Sequence, residues 1–155
     1  MDLVNVKKDV ASSLNAHPST LDKLSDEENV DIRINVAKNI RTSEKTLDKL
    51  SQDKKKAVRF AVADNVNTSP KTLDKMSEDK DVLVRDLVAQ NSNTSGMTLK
   101  KLSKDKDYLY TRLHVLKNPN TDLVTIKKGM EELRQLINNI SQQKGDNDET
   151  VKSLT

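Results

Sequence analysis

Apolar residues recur along this chain at two nested spacings. Within short segments they stand three or four positions apart, the period that puts side chains on one face of an α-helix. The segments themselves recur every 26 residues. Leu21, Leu47, Leu73 and Leu99 form one column. Leu24, Leu50, Met76 and Leu102 form a second, three residues on. Together they predict a short helix, A, with one apolar face. Further along, Ile32 and Val36, Val58 and Val62, and Val84 and Val88 are pairs at a spacing of four. They predict a second helix, B. Ala37, Ala63 and Ala89 sit beside these pairs, where neighbouring helices can approach closely. No stretch alternates apolar with polar residues, so no strand is expected.

The polar residues keep the same register. "TLDKLSDEENVDIR", "TLDKLSQDKKKAVR" and "TLDKMSEDKDVLVR" begin at Thr20, Thr46 and Thr72, and "TLKKLSKDKDYLYTR" begins at Thr98 with one residue inserted before Arg112. Val6, Lys7, Val10 and Ala11 occupy the places of Ile32, Arg33, Val36 and Ala37, so the chain opens on a B helix. At the other end "TIKKG", Thr125 to Gly129, matches "TLKKL". Ser43, Ser69, Ser95 and Asp122 are natural N-caps for helix A, and Pro18 and Pro70 suit its first turn. Asn39, Asn65, Asn91 and Asn118 close helix B, where Asn is expected to take the left-handed conformation.

A short A–B pair cannot bury its apolar face alone, whereas stacked copies can. The expected fold is all-α: an α-solenoid of about four and a half 26-residue two-helix repeats. The helical-repeat domain spans residues 1–141, with repeats at about 1–17 (partial), 18–43, 44–69, 70–95 and 96–121. Ile126, Met130, Leu133, Ile137 and Ile140 recur at helical spacing in a segment that copies no repeat. They predict a capping helix over 122–141 that closes the end of the core. Residues 142–155 are polar and capless and read as a flexible tail.

The order of the "NVNTSPKTLDKMSEDKDVLVRDLVAQN" stretch resembles the leucine-rich repeat variant family, helical repeats akin to HEAT and armadillo arrays. The resemblance covers roughly Val4 to Gly129. It implies the right-handed sense of the superhelix and one helix of each pair that is short or 3₁₀-like. Some relatives carry an iron–sulfur module, and this chain has no cysteine to hold one.

Composition narrows the chemistry. The chain is 33% charged, 34% hydrophobic and 2% aromatic, which suits a thin aliphatic core. Without cysteine there is no disulfide, thiol catalysis or thiolate metal site. The start lacks a signal-peptide pattern and no apolar run reaches the ~18 residues of a membrane span, so a cytoplasmic protein without membrane contact is expected. His17 and His114 are nearly four copies apart. The carboxylates repeat with the scaffold rather than converge on one place. No phosphate loop, catalytic residue, metal site, cofactor site or small-molecule substrate site is read, and the chain is expected not to be an enzyme.

Two columns of cations remain. Arg33, Arg59, Arg85 and Arg112, led by Lys7, each follow an acid (Glu27, Asp53, Asp79 or Asp105) by six or seven residues. A structural clasp is expected, Arg to carboxylate, within a copy or between neighbours. The second column is Lys23, Lys49, Lys75, Lys101 and Lys128. The loops "DKKKAVR" and "KKLSKDKD" add Lys54, Lys55, Lys56, Lys104 and Lys106. By count the second and fourth copies are basic and the first and third slightly acidic. The candidate binding surface is Lys49, Lys75, Lys101 and Lys128 with Lys54, Lys55, Lys56 and Lys104. The functional expectation is a non-catalytic module that binds a protein partner through an extended repeat surface. The alternative is nucleic-acid binding by phosphate contacts from the Lys and Arg columns.

Overall fold

The computed structural model describes residues 2–152, with side chains as far as Gln142. Among the described residues there are ten α-helices and no strand: α1 (Leu3–Ser12), α2 (Pro18–Leu24), α3 (Val30–Lys38), α4 (Glu44–Leu50), α5 (Lys56–Asp64), α6 (Pro70–Met76), α7 (Val82–Gln90), α8 (Gly96–Leu102), α9 (Leu109–Lys117) and α10 (Leu123–Lys152). The chain forms two units, divided between Thr121 and Asp122.

In the first unit the odd-numbered helices pack in series, α1 on α3, α3 on α5, α5 on α7 and α7 on α9. Each seven-residue even-numbered helix packs on the odd-numbered helix that follows it. These contacts fit a helical repeat. Both expected apolar columns of helix A lie inside, with Leu21, Leu47, Leu73 and Leu99 fully buried. Val36, Val62, Val88 and Val115 continue the core on the odd-numbered helices. Each such side chain contributes about 1.5–3 kcal/mol by leaving water.

Helix starts follow the sequence. Ser43, Ser69 and Ser95 accept from the backbone N–H of Thr46, Thr72 and Thr98 at 3.2–3.3 Å. His17 takes the same role for α2, its Nδ1 accepting from Ser19 N–H. Two starts are weaker. Lys55 before α5 and Tyr108 before α9 make no side-chain capping bond. The insertion in the fourth copy explains the second case: it moves the helix start from Asp107 to Tyr108, and Asp107 binds Arg85 instead.

One expectation is overturned. Asn39, Asn65, Asn91 and Asn118 close their helices in an extended conformation, φ −72° to −65° and ψ 125° to 130°, not the left-handed one. What selects Asn is its side chain. Asn65 Nδ2 donates to the carbonyls of Ala37 (2.7 Å) and Asn39 (3.1 Å), and its Oδ1 accepts from Asn67 N–H (2.8 Å). Asn91 and Asn118 repeat the pattern, each reaching back to the previous copy. Asn39 does so onto Ala11 and Ser13. Only an amide carries donor and acceptor in this arrangement. Thr42, Thr68 and Thr94 complete the joint by donating to Val36, Val62 and Val88 carbonyls.

Among the described residues the second unit is one long helix, α10. Asp122 Oδ1 accepts from Thr125 N–H at 2.8 Å at its start. Ile126, Met130, Leu133, Ile137 and Ile140 fall on one of its faces. The backbone stays helical to Lys152, through most of the segment expected as a flexible tail. Residues 142–152 contain no proline and several good helix formers, and Gly145 alone costs only about 1 kcal/mol. The remainder of that expected tail, 153–155, lies outside the described residues.

Candidate functional site

In the first unit the loop joining each even-numbered helix to the next odd-numbered one carries the acid of most ion pairs among the described residues. There the Arg column is engaged with the acids. Arg59 sits on the first turn of α5 and is 6% exposed. Its Nε donates to Asp79 Oδ2 at 2.6 Å and its Nη2 to Asp79 Oδ1 at 3.0 Å, a bidentate pair. Its Nη1 donates to the carbonyl of Asp53 at 2.9 Å. Arg33 binds Asp53 and the Glu27 and Glu28 carbonyls in the same way. Arg85 binds Asp105 and the Asp79 carbonyl. Each guanidinium therefore ties its own loop by a carbonyl and the next copy's loop by a carboxylate. Lys7 opens the series with Glu27 at 2.8 Å. Arg112 occupies the equivalent place on α9.

These pairs are well shielded from water. Burial pushes the Asp79 carboxyl up, but the Arg59 hydrogen bond, the Asp81 amide and the Arg59 charge outweigh it and hold the group below the usual carboxylate range. Asp53 and Asp105 are lowered by the same balance, with Arg33 and Arg85 as partners. The Asp79 hydrogen bond raises Arg59 further, against the opposing effect of burial.

Column Lys49, Lys75 and Lys101 is also paired. Lys49 Nζ lies 2.6 Å from Asp26, Lys75 2.7 Å from Asp48 and Lys101 2.7 Å from Glu78, in each case an acid of the preceding copy. The Lys75 hydrogen bond is the main reason Asp48 lies below the usual range. Lys56 is held by Asp81 at 3.1 Å. Lys54, Lys55 and Lys104 are exposed on the joint loops, and Lys128 is exposed on α10.

The joints also form shallow grooves in consecutive copies. One is lined by Ser51, Gln52, Lys54 and Lys80 over the Arg59–Asp79 pair. The other is lined by Ser77, Lys101, Lys104 and Lys106 over the Arg85–Asp105 pair. In the fourth copy, the Lys101 column and the basic loop thus share one groove.

Three features escaped the sequence reading. The first is the asparagine series described above. The second is a parallel threonine series: Thr46, Thr72 and Thr98 Oγ1 donate to Asp22, Asp48 and Asp74 of the preceding copy at 2.9–3.0 Å. Its signal is present in the repeated "TLD". The third is a lysine column at 54, 80 and 106, which the 26-residue spacing contains.

The histidines stand apart. His17 caps α2, while His114 Nδ1 is 2.7 Å from Asp86 Oδ1, joining α9 to α7. Among the described residues no cluster of His, Cys, Asp and Glu could hold a metal ion, and no helix is long and apolar enough to cross a membrane. Comparison with protein-family models, with curated proteins and with solved structures finds no match for this chain.

Proposed function

We propose that this chain is a non-catalytic interaction module that binds a protein partner along an extended, repeated surface. In this reading the first unit is a right-handed α-solenoid of about four and a half 26-residue repeats, like those of the leucine-rich repeat variant family, and residues 122–141 are its capping segment. The observation that carries the reading is a division of labour between positions. Buried contacts at the joints recur copy after copy, as with Asn65, Asn91 and Asn118, or Arg33, Arg59 and Arg85. The exposed loop positions change: "SDEEN", "SQDKK", "SEDKD" and "SKDKD". A constant scaffold with variable outer positions is how stacked repeats present a binding surface. The carboxylates and cations that approach each other most closely neutralise one another and hold the scaffold, so they are not poised for acid–base chemistry.

The test has two arms on the purified full chain. A salt titration against random duplex DNA is expected to show no binding at low salt. A purified protein partner is expected to give a hydrogen-exchange footprint over equivalent positions in at least two copies. DNA affinity falling steeply with salt would replace this reading with phosphate binding by the Lys and Arg columns. A footprint confined to one copy would reject the repeated surface.

A further inference from the structure

Lys54, Lys80 and Lys106 occupy one position in three consecutive copies, on the joint loops before α5, α7 and α9. All three are exposed, and among the described residues none has an ion-pair or hydrogen-bond partner. That separates them from Lys49, Lys75 and Lys101, whose charges are met by Asp26, Asp48 and Glu78. The acids nearest the row are already taken. Asp53, Asp79 and Asp105 are bound by arginines, Asp81 by Lys56 and Asp107 by Arg85. The first groove thus has a charge-balanced floor, the second shares Arg85 between Asp105 and the exposed Asp107, and both carry a basic rim that exceeds these acids and draws an acidic ligand.

Spacing and chemistry narrow the ligand further. Helices packed in series lie about 8–10 Å apart, which sets the step between column-mates. A peptide in the extended polyproline II conformation rises about 3.1 Å per residue with about three residues per turn, so every third side chain points the same way and meets the next step. Nucleic acid fits less well. The guanidiniums that would grip phosphates bidentately are locked onto carboxylates. Phe60, Tyr108 and Tyr110 are the chain's only aromatic residues, too few to stack a run of bases. The column also has a direction, because its first member is Glu28.

We propose that the module's ligand is an extended acidic peptide, bound across the joints by Lys54, Lys80 and Lys106 with a carboxylate at every third residue, and with a non-acidic residue facing Glu28. This rests on the interaction-module reading above.

The test uses the full chain and a fluorescein-labelled peptide carrying Glu at every third position, compared with a peptide of the same composition with its Glu residues in one block. At low salt the spaced peptide binds more tightly, and its affinity falls as salt screens the contacts. Each single Lys→Glu change in the row weakens it by roughly a few-fold, as for exposed charge contacts. Lys54→Glu, Lys80→Glu and Lys106→Glu together weaken it at least about tenfold with melting unchanged, and the three Lys→Gln changes do so less. Lys49→Gln and Lys75→Gln, which lie outside both grooves, together change it less than about threefold, and Glu28→Lys tightens it. No binding by the wild type, equal binding of the block peptide, or a loss from the Lys49→Gln, Lys75→Gln pair as large as that from the three Lys→Gln changes in the row overturns the assignment. If the peptide fails while the purified protein partner still binds, only this row is wrong. If duplex DNA binds and neither peptide nor protein does, the module reading falls with it.

Discussion

The side-chain amide of Asn65 donates to the carbonyl of Ala37 at 2.7 Å, reaching from the end of α5 back to the end of α3. Both residues are buried, 5% and 0% exposed. The bond satisfies a helix-end carbonyl that would otherwise have no partner between packed helices. Repeated by Asn91 onto Ala63 and Asn118 onto Ala89, it joins successive odd-numbered helices through their final turns.

Asn65→Asp should therefore be among the most destabilising single changes. It puts an oxygen where the amide nitrogen donates to two carbonyls. The expected loss is about 3 kcal/mol or more, and larger than for Asn65→Ala, measured by urea unfolding. Equal losses would mean that the side chain's volume matters and its donors do not.

Arg59 and Asp79 set up a second comparison. Arg59→Ala leaves a buried carboxylate without its guanidinium, at an expected cost of about 3 kcal/mol. Replacing both, Arg59→Met with Asp79→Leu, removes the stranded charge and should recover much of that loss. A double variant as unstable as the single one would show that the apolar pair cannot fill the site.

The same pairs determine the response to acid. Asp53, Asp79 and Asp105 lie below the ordinary carboxylate range in the folded chain. Their contribution is complete above the unfolded value of about 3.9 and is lost as pH falls through the lower folded values. Thermal melting should be insensitive to these groups at pH 5 and above, by that value, and should fall progressively below about pH 4. The Arg59→Met, Asp79→Leu variant should show a shallower decline over the same acid range.

Thr111 marks a defect that can be repaired. It stands on α9 where Val58 and Val84 stand in earlier copies, fully buried, and its Oγ1 has no hydrogen-bond partner among the described residues. Thr111→Val keeps the shape and removes the unsatisfied hydroxyl. It should stabilise the chain by about 1 kcal/mol, read as a higher urea midpoint. A lower midpoint would mean that the hydroxyl has a partner.

What the sequence determined by itself is the set of short-range decisions. Helical spacing marked Leu21, Leu47, Leu73 and Leu99 as core, and serine caps placed the starts of α4, α6 and α8, because both effects act within a few residues. Tertiary structure decided everything that depends on which copy answers which. Asp53 precedes Arg59 by six residues and looks like its partner, yet its carboxylate goes to Arg33, and Arg59 takes Asp79 of the next loop. Asn65 reads as an unremarkable helix end until α3 is packed beside α5 and its orphan carbonyls come within reach. The same packing brings Asp26, Asp48 and Glu78 to Lys49, Lys75 and Lys101, and leaves Lys54, Lys80 and Lys106 without a counter-charge among the described residues. A periodic sequence specifies each column but not the offset between columns, because that offset is set by how far one packed helix lies from the next.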